Sequence, residues 1–238
     1  MEHSIPRILF FTGTDTNVGK TYVAALAVQE LRHSGLQVGV YKPVASGCVL
    51  EGSDVVSEDA RRLWEASGRR VPLQLVCPQR FMAPLAPYLA AQSEGKGVDE
   101  ALLLAGIAPI AEGMDVVVVE GAGGLMSPLS EHLLNSDLAR KLGAQVVVVA
   151  ANRLGAVHQL LATVTAAAAL RLPVVGSVLN QVTAQGDASA NLNADAISRF
   201  TDVPLLGTVA YGSTASGIDW NALPPPRKAV IQIAQAWL

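Results

Sequence analysis

Charge is scarce in this sequence: of 238 residues only 16% are Asp, Glu, Lys or Arg, against roughly 25% in an ordinary soluble protein. With half of its residues hydrophobic, the chain has ample apolar surface to offset the entropy of ordering, which excludes a disordered chain. The 17 basic and 20 acidic residues, net −3, are mixed along the sequence, so no basic face is offered to a phosphate backbone and nucleic acid is excluded as a partner. Cysteine is limited to Cys48 and Cys77 and histidine to His3, His33, His132 and His158. None stands at a zinc-ligand spacing, and cysteine usage this sparse points to a reducing compartment. No apolar run reaches the roughly 18 residues that would cross a bilayer, and the N-terminal apolar stretch is short and meets a polar turn. A soluble, cytoplasmic protein without a membrane partner is expected.

What the chain does have is alternation. Short β-branched runs over 7–12, 37–41, 114–119, 145–150, 174–179 and 205–209 are separated by Ala/Leu-rich segments of helical length, the pattern of an α/β fold with a mostly parallel sheet flanked by helices. Helices are expected over 20–34, 55–66, 85–93, 99–111, 136–142, 156–170, 193–200 and 229–237. The runs Val116-Val117-Val118-Val119 and Val146-Val147-Val148-Val149 are apolar at every position, so both faces of the sheet must be covered. With no internal repeat and no long linker, residues 1–238 read as one domain. In an open sheet of this kind ligands bind beyond the carboxyl ends of the strands.

The first strand runs into Thr12-Gly13-Thr14-Asp15-Thr16-Asn17-Val18-Gly19-Lys20-Thr21 and then a helical segment. This is a phosphate-binding loop in the strand-loop-helix context that lets backbone N–H groups and a helix N-terminus face an anion. Lys20 is expected at the β- and γ-phosphates and the Thr21 hydroxyl on Mg²⁺. The usual first glycine of the loop is Thr14, with Gly13 one place earlier. A second candidate is Glu120, which ends a buried strand and precedes Gly121-Ala122-Gly123-Gly124; an acid there suits a metal-holding carboxylate, and the glycines let backbone approach a ligand. The second strand ends in Tyr41-Lys42-Pro43. Pro43 keeps Lys42 extended at the sheet edge, where its ammonium could serve an anionic phosphoryl acceptor, although Lys42 alone reads equally as a surface lysine.

Gly13-Thr14-Asp15-Thr16 with Val18-Gly19-Lys20-Thr21, then Tyr41-Lys42-Pro43-Val44-Ala45-Ser46-Gly47, then Val119-Glu120-Gly121-Ala122-Gly123-Gly124 closely resemble the dethiobiotin synthetase family in order and spacing. The resemblance implies a single-domain P-loop NTPase-like fold and a Mg²⁺- and ATP-dependent cyclo-ligase joining CO₂, drawn from bicarbonate, to 7,8-diaminononanoate. It implies catalytic roles for Lys20, Lys42 and Thr16, substrate contacts from Thr16 and Ser46, and a third metal carboxylate in a Ser-Asp-Ala-like context. Ser57-Glu58-Asp59-Ala60 fits that context, which selects Asp59 over Asp54, although a helix N-terminal acid is also favoured by the macrodipole alone. Metal ligation then falls to Thr21, Asp59 and Glu120. By the same resemblance nucleotide contacts come from Asn17, Val18, Gly19, Lys20, Thr21 and Tyr22, from Asp59, Glu120, Gly121, Ala122 and Gly123, and around the base from Asn180, Gln181, Ala210, Tyr211 and Gly212. Leu154 and Gly155 fall where the family caps the substrate's carboxylate tail near a dimer interface, so a homodimer is implied. Asn17 and Gln181 both replace residues that are commonly acidic in the family.

Arg61-Arg62 and Arg69-Arg70 read as solvated charges. The competing class is a nucleotide-switch ATPase of the partitioning or septum-placement kind, acting on protein or membrane partners. Its loop carries a lysine where this chain has Asp15, and the segment 227–238 is too weakly basic and too short in its apolar face to be a convincing membrane helix. An amidoligase on cobalamin precursors would need a further glutaminase domain.

Overall fold

The computed structural model describes residues 6–225, so the helix expected over 229–237 lies outside the described residues. The chain runs β1 (Arg7–Gly13), α1 (Lys20–His33), β2 (Val38–Tyr41), β3 (Val44–Ala45), β4 (Val49–Glu51), β5 (Asp54–Val56), α2 (Glu58–Ala66) and α3 (Leu73–Val76). It continues through β6 (Gln79–Arg80), α4 (Pro87–Ser93), α5 (Glu100–Ala105), α6 (Ala108–Ala111), β7 (Val116–Gly124), α7 (Asn135–Lys141) and β8 (Gln145–Ala151). Last come α8 (Ala156–Ala169), β9 (Val174–Asn180), α9 (Ala190–Phe200), β10 (Leu205–Val209) and a 3₁₀ turn at Trp220–Ala222.

Six strands form one parallel sheet in the order β10-β9-β8-β1-β7-β2. Side chains alternate across it, which explains the unbroken valine runs. Ile8, Phe10, Val117, Val119, Val146 and Val148 pack on one face against α4 to α9. Leu9, Phe11, Val116, Val118, Val147 and Val149 pack on the other against α1, α2 and Trp220. A fully buried Val, Leu or Phe contributes about 1.5–3 kcal/mol, so covering both faces is what stabilises a parallel sheet.

Two expected helices differ from the structure. The segment 55–66 is helical only from Glu58: Val55 and Val56 favour extended backbone, β5 pairs antiparallel with β4, and the Ser57 hydroxyl caps α2 by accepting from the Ala60 N–H at 3.2 Å. The segment 99–111 divides into α5 and α6, because Gly106 ends the first and Pro109 sits in the opening turn of the second. The two-residue pair β3 and β6 is too short to show any periodicity in sequence.

β1 lies between β7 and β8, so its loop opens at the centre of the sheet's carboxyl edge. Tyr41, the last residue of β2, is in register with Val119, which brings Lys42 beside Glu120.

Candidate active site

The loop between β1 and α1 is held in shape by backbone that only certain residues tolerate. Asn17 and Gly19 both have positive φ, 57° and 86°. A Cβ on Gly19 would lie 2.0 Å from Asn180 Nδ2, the group that donates to the Val18 carbonyl at 3.0 Å from the end of β9. A Cβ on Gly13 would lie 2.6 Å from the Asp15 carbonyl oxygen, so the close approach belongs to Gly13 and position 14 is free to be threonine. Lys20 is buried with its ammonium donating to the Asp15 carbonyl at 3.1 Å, and burial draws its pKa below the ordinary lysine value.

Four polar side chains, from α1, α2, β7 and the segment after β2, meet at the end of that loop. The Thr21 hydroxyl lies 2.8 Å from Asp59 Oδ1 and 2.9 Å from Glu120 Oε1. Lys42 Nζ donates to Glu120 Oε1 at 2.6 Å and, at 3.3 Å each, to Asp59 Oδ2 and the Gly121 carbonyl. The Lys42 side chain is 2% exposed and that of Glu120 0%, whereas Asp59 is half-exposed. Burial works against the Lys42 charge, but Glu120 and Asp59 outweigh it and hold the ammonium above the ordinary lysine range. Burial pushes the Glu120 carboxyl up in spite of Lys42. For Asp59 the Lys42 charge and the Thr21 hydrogen bond outweigh burial and bring the pKa below the ordinary carboxylate value.

These groups line a cavity of about 410 Å³ with Thr16, Asn17, Gly19, Lys20, Tyr22, Ser46, Ala122 and Gly123. The remaining candidates lie around it. Val18 is buried beneath the loop; Gly121 meets Lys42 through its carbonyl; Asn180 is buried, with its Oδ1 unpartnered among the described residues. The Gln181 N–H donates to the Val209 carbonyl at 2.9 Å. Ala210, Tyr211 and Gly212 form the exposed turn after β10, joined to α1 by the Tyr22 hydroxyl donating to the Ser213 carbonyl. Leu154 is 80% exposed, Gly155 starts α8, and neither lines this cavity. Two contributors escaped the sequence reading. β7 does not end at Glu120 as expected but runs on to Gly124, and buried Asn135 braces this glycine-rich extension, accepting from the Ala122 N–H and donating to the Ala122 and Gly124 carbonyls at 3.2, 2.6 and 2.8 Å. Arg62, read as a solvated charge, lines the cavity.

The donor set is suited to a hard divalent cation. A hydroxyl has one proton and cannot donate to both Asp59 and Glu120 at once, and Glu120 Oε2 is buried without a partner among the described residues. Two carboxylates and a hydroxyl, all oxygen donors, fit Mg²⁺, which binds through one or two carboxylates and takes its other ligands from phosphate and water.

A sequence profile described as an AAA domain matches residues 7–217. ATP-dependent dethiobiotin synthetase BioD of Rhodopirellula baltica is 42% identical over 217 residues, covering 87% of this chain and 85% of that protein. The protein of the same name from Anaeromyxobacter dehalogenans is 45% identical over 82% of this chain and 86% of its own length, and that of Bacillus subtilis 36% over 84% and 86%. Among solved structures, the signal recognition particle receptor FtsY from Elizabethkingia anophelis in complex with GDP superimposes with a TM-score of 0.54 at 14% identity. The match covers all of this chain and 65% of that one. A likeness this remote concerns the fold alone, a parallel sheet with a phosphate loop.

Proposed function

Because the chain belongs to the ATP-dependent dethiobiotin synthetase family, and so is an ATP-dependent cyclo-ligase of biotin biosynthesis, we propose how its residues divide the reaction. One amine of 7,8-diaminononanoate takes up CO₂ as a carbamate and loses a proton. A carbamate oxygen attacks the γ-phosphorus of ATP, giving a carbamic-phosphoric anhydride and ADP. The second amine then attacks the carbonyl carbon, closing the cyclic urea and expelling phosphate.

The observation that carries this reading is the second buried cation. Lys42 sits against Glu120 at 2.6 Å beside a phosphate loop that already has Lys20. A nucleotide switch would bring its extra lysine on the loop itself, where this chain has Asp15, whereas Lys42 comes from a different strand end, and an anionic acceptor cannot approach a triphosphate until charge on both is neutralised. Two of the three Lys42 contacts are long, 3.3 Å, and are the ones to be exchanged for carbamate and γ-phosphoryl oxygens. Thr16 and Ser46, on the cavity wall, orient the acceptor. Thr21, Asp59 and Glu120 would hold Mg²⁺, which when bound supplies charge neutralisation of the phosphate oxygens. Asn180 Oδ1, unpartnered among the described residues, would accept from the exocyclic amine of adenine, with Gln181 and residues 210–212 bordering the base.

An apolar groove of about 510 Å³ opens beside the phosphate loop, walled by Leu125, Met126, Ala162 and Ala166 with His158 and Gln159. Its character suits the alkyl chain of the diamine. The groove borders α8, whose start at Leu154 and Gly155 would cap the carboxylate tail next to a second copy in a cytoplasmic homodimer. The test is incubation with the diamine, bicarbonate, Mg²⁺ and each nucleoside triphosphate in turn, with products read by mass. Dethiobiotin with ATP is expected; no cyclic urea with any nucleotide would overturn the assignment.

A further inference from the structure

Arg61 and Arg62 are neighbours on α2 but stand in different surroundings. The Arg61 guanidinium is tied down by Glu51 at 2.6 Å and Glu58 at 2.9 Å. Arg62 is exposed and, among the described residues, has no ion-pair partner. It follows Asp59 by three positions, and residues so spaced share a helix face. Accordingly Arg62 lines the same cavity as Asp59, with Thr21 and Tyr22.

The course of α2 along α1 narrows what Arg62 can meet. Thr21 at the start of α1 contacts Asp59 at the start of α2 at 2.8 Å, and Arg32 near the end of α1 donates to the Ala66 carbonyl at the end of α2 at 2.7 Å. The two helices therefore run side by side in the same direction, and Arg62, one turn beyond Asp59, lies along the first turn of α1. On the nucleotide reading above, on which this inference rests, the β- and γ-phosphates sit at Lys20. The base sits toward Asn180 and the turn after β10, which is fastened to Tyr22. Between those ends the α- and β-phosphates pass the first turn of α1. Charge points the same way: Lys20 and Lys42 are matched one for one by Asp59 and Glu120, which makes Arg62 the surplus positive charge facing the cavity.

We infer that Arg62 is a third nucleotide-binding cation of this site, gripping the α- and β-phosphate oxygens through its planar, two-pronged guanidinium. The contact distinguishes phosphorylated from unphosphorylated nucleosides and does not read the base. Calorimetric titration of wild type and R62A with ATP, ADP and adenosine tests it. ATP and ADP should each bind about tenfold more weakly to R62A, the scale of one charge-assisted contact at a rim, while adenosine binds equally to both. The gap should narrow at high salt, because an exposed charge is screened. R62K should recover part of the affinity, since the charge remains and the fork does not. ATP binding to R62A equal to wild type, or an equal loss for adenosine, would overturn the inference; R62Q serves for the same comparison if R62A does not fold. A wild-type protein that binds no ATP would instead bring down the nucleotide reading, and the inference with it.

Discussion

Replacing Lys42 with methionine keeps the apolar stem and deletes the charge, which isolates the contribution of the ammonium. At an effective dielectric of about 20 its attraction to Glu120 across 2.6 Å is roughly 6 kcal/mol. Desolvation of both groups offsets part of this, but the variant leaves a buried carboxylate without its partner, and that situation costs about 3–5 kcal/mol. The Asp59 contact adds less than about 1 kcal/mol, because Asp59 is 52% exposed and the separation is 3.3 Å. Urea denaturation at pH 8 should therefore find K42M less stable by about 3–5 kcal/mol. Burial already raises the Glu120 pKa and Lys42 opposes that rise, so removing Lys42 raises it further. A carboxyl whose folded pKa exceeds its unfolded value, about 4.3, binds its proton more tightly when folded. Stability of the variant must then fall as pH rises from that value through the folded pKa, and level off above it. The deficit is smallest at and below about pH 4.3. Adding E120Q removes the stranded charge, so the double variant should recover at least half of the loss, and turnover in K42M should fall by a factor on the order of 10²–10³. A double variant as unstable as the sum of the two single changes, with a deficit that ignores pH, would refute the ion-pair argument.

Three further outcomes are expected. E120Q should raise the Mg²⁺ concentration needed for half-maximal activity by about tenfold or more while leaving the KM for the diamine nearly unchanged; an unaltered Mg²⁺ titration would leave Glu120 only its ion pair with Lys42. K20A should abolish nucleotide turnover, because the β- and γ-phosphates lose their principal cation, and a wild-type rate would refute the loop assignment. G19A combines a positive φ of 86° with a Cβ 2.0 Å from Asn180 Nδ2; it should cost more than about 1 kcal/mol and weaken ATP binding, and an unchanged Tm would show that the loop relaxes freely.

The parts of the site that were legible in sequence are those set by local chain chemistry. Buried parallel strands announce themselves as short, largely apolar runs, and the phosphate-loop motif marks Lys20 and Thr21, so the stretches that hold Lys20, Thr21, Lys42 and Glu120 are legible in the sequence. Asp59 is legible only through family resemblance, and its helix starts three residues later than the sequence suggests, because the Ser57 cap separates Val55 and Val56 from α2. What Lys42 touches could not be read, since its partner Glu120 is 78 positions away and is fixed by the register of β2 against β7. Adjacent arginines look alike in sequence, yet a 100° step around a helix sends Arg61 to two glutamates and Arg62 to the cavity. Asn135 gave no signal, because a buried amide bracing a glycine turn belongs to no local motif.

The two ends of the cavity are built by different physics. At the nucleotide end one carboxylate, Glu30 on α1, accepts from the Ser216 N–H and the Trp220 indole N–H, each at 2.7 Å, and from the Ser216 hydroxyl. Trp220 is buried and its ring lies 5.7 Å from that of Phe11 in β1. The segment beyond β10 is thus fastened to the helix that presents the phosphate loop and to the strand that feeds it, so the spacing between that segment and the loop is set by packing. At the acceptor end Thr16 is exposed and Ser46 and Gly123 are half-buried. Thr16 and Ser46 belong to loops, and Gly123 to the last residues of β7, which are held by Asn135. On the proposed course of the reaction this contrast suits the two tasks: the nucleotide must hold still, while the acceptor would pass from an amine through a carbamate and an anhydride to a ring.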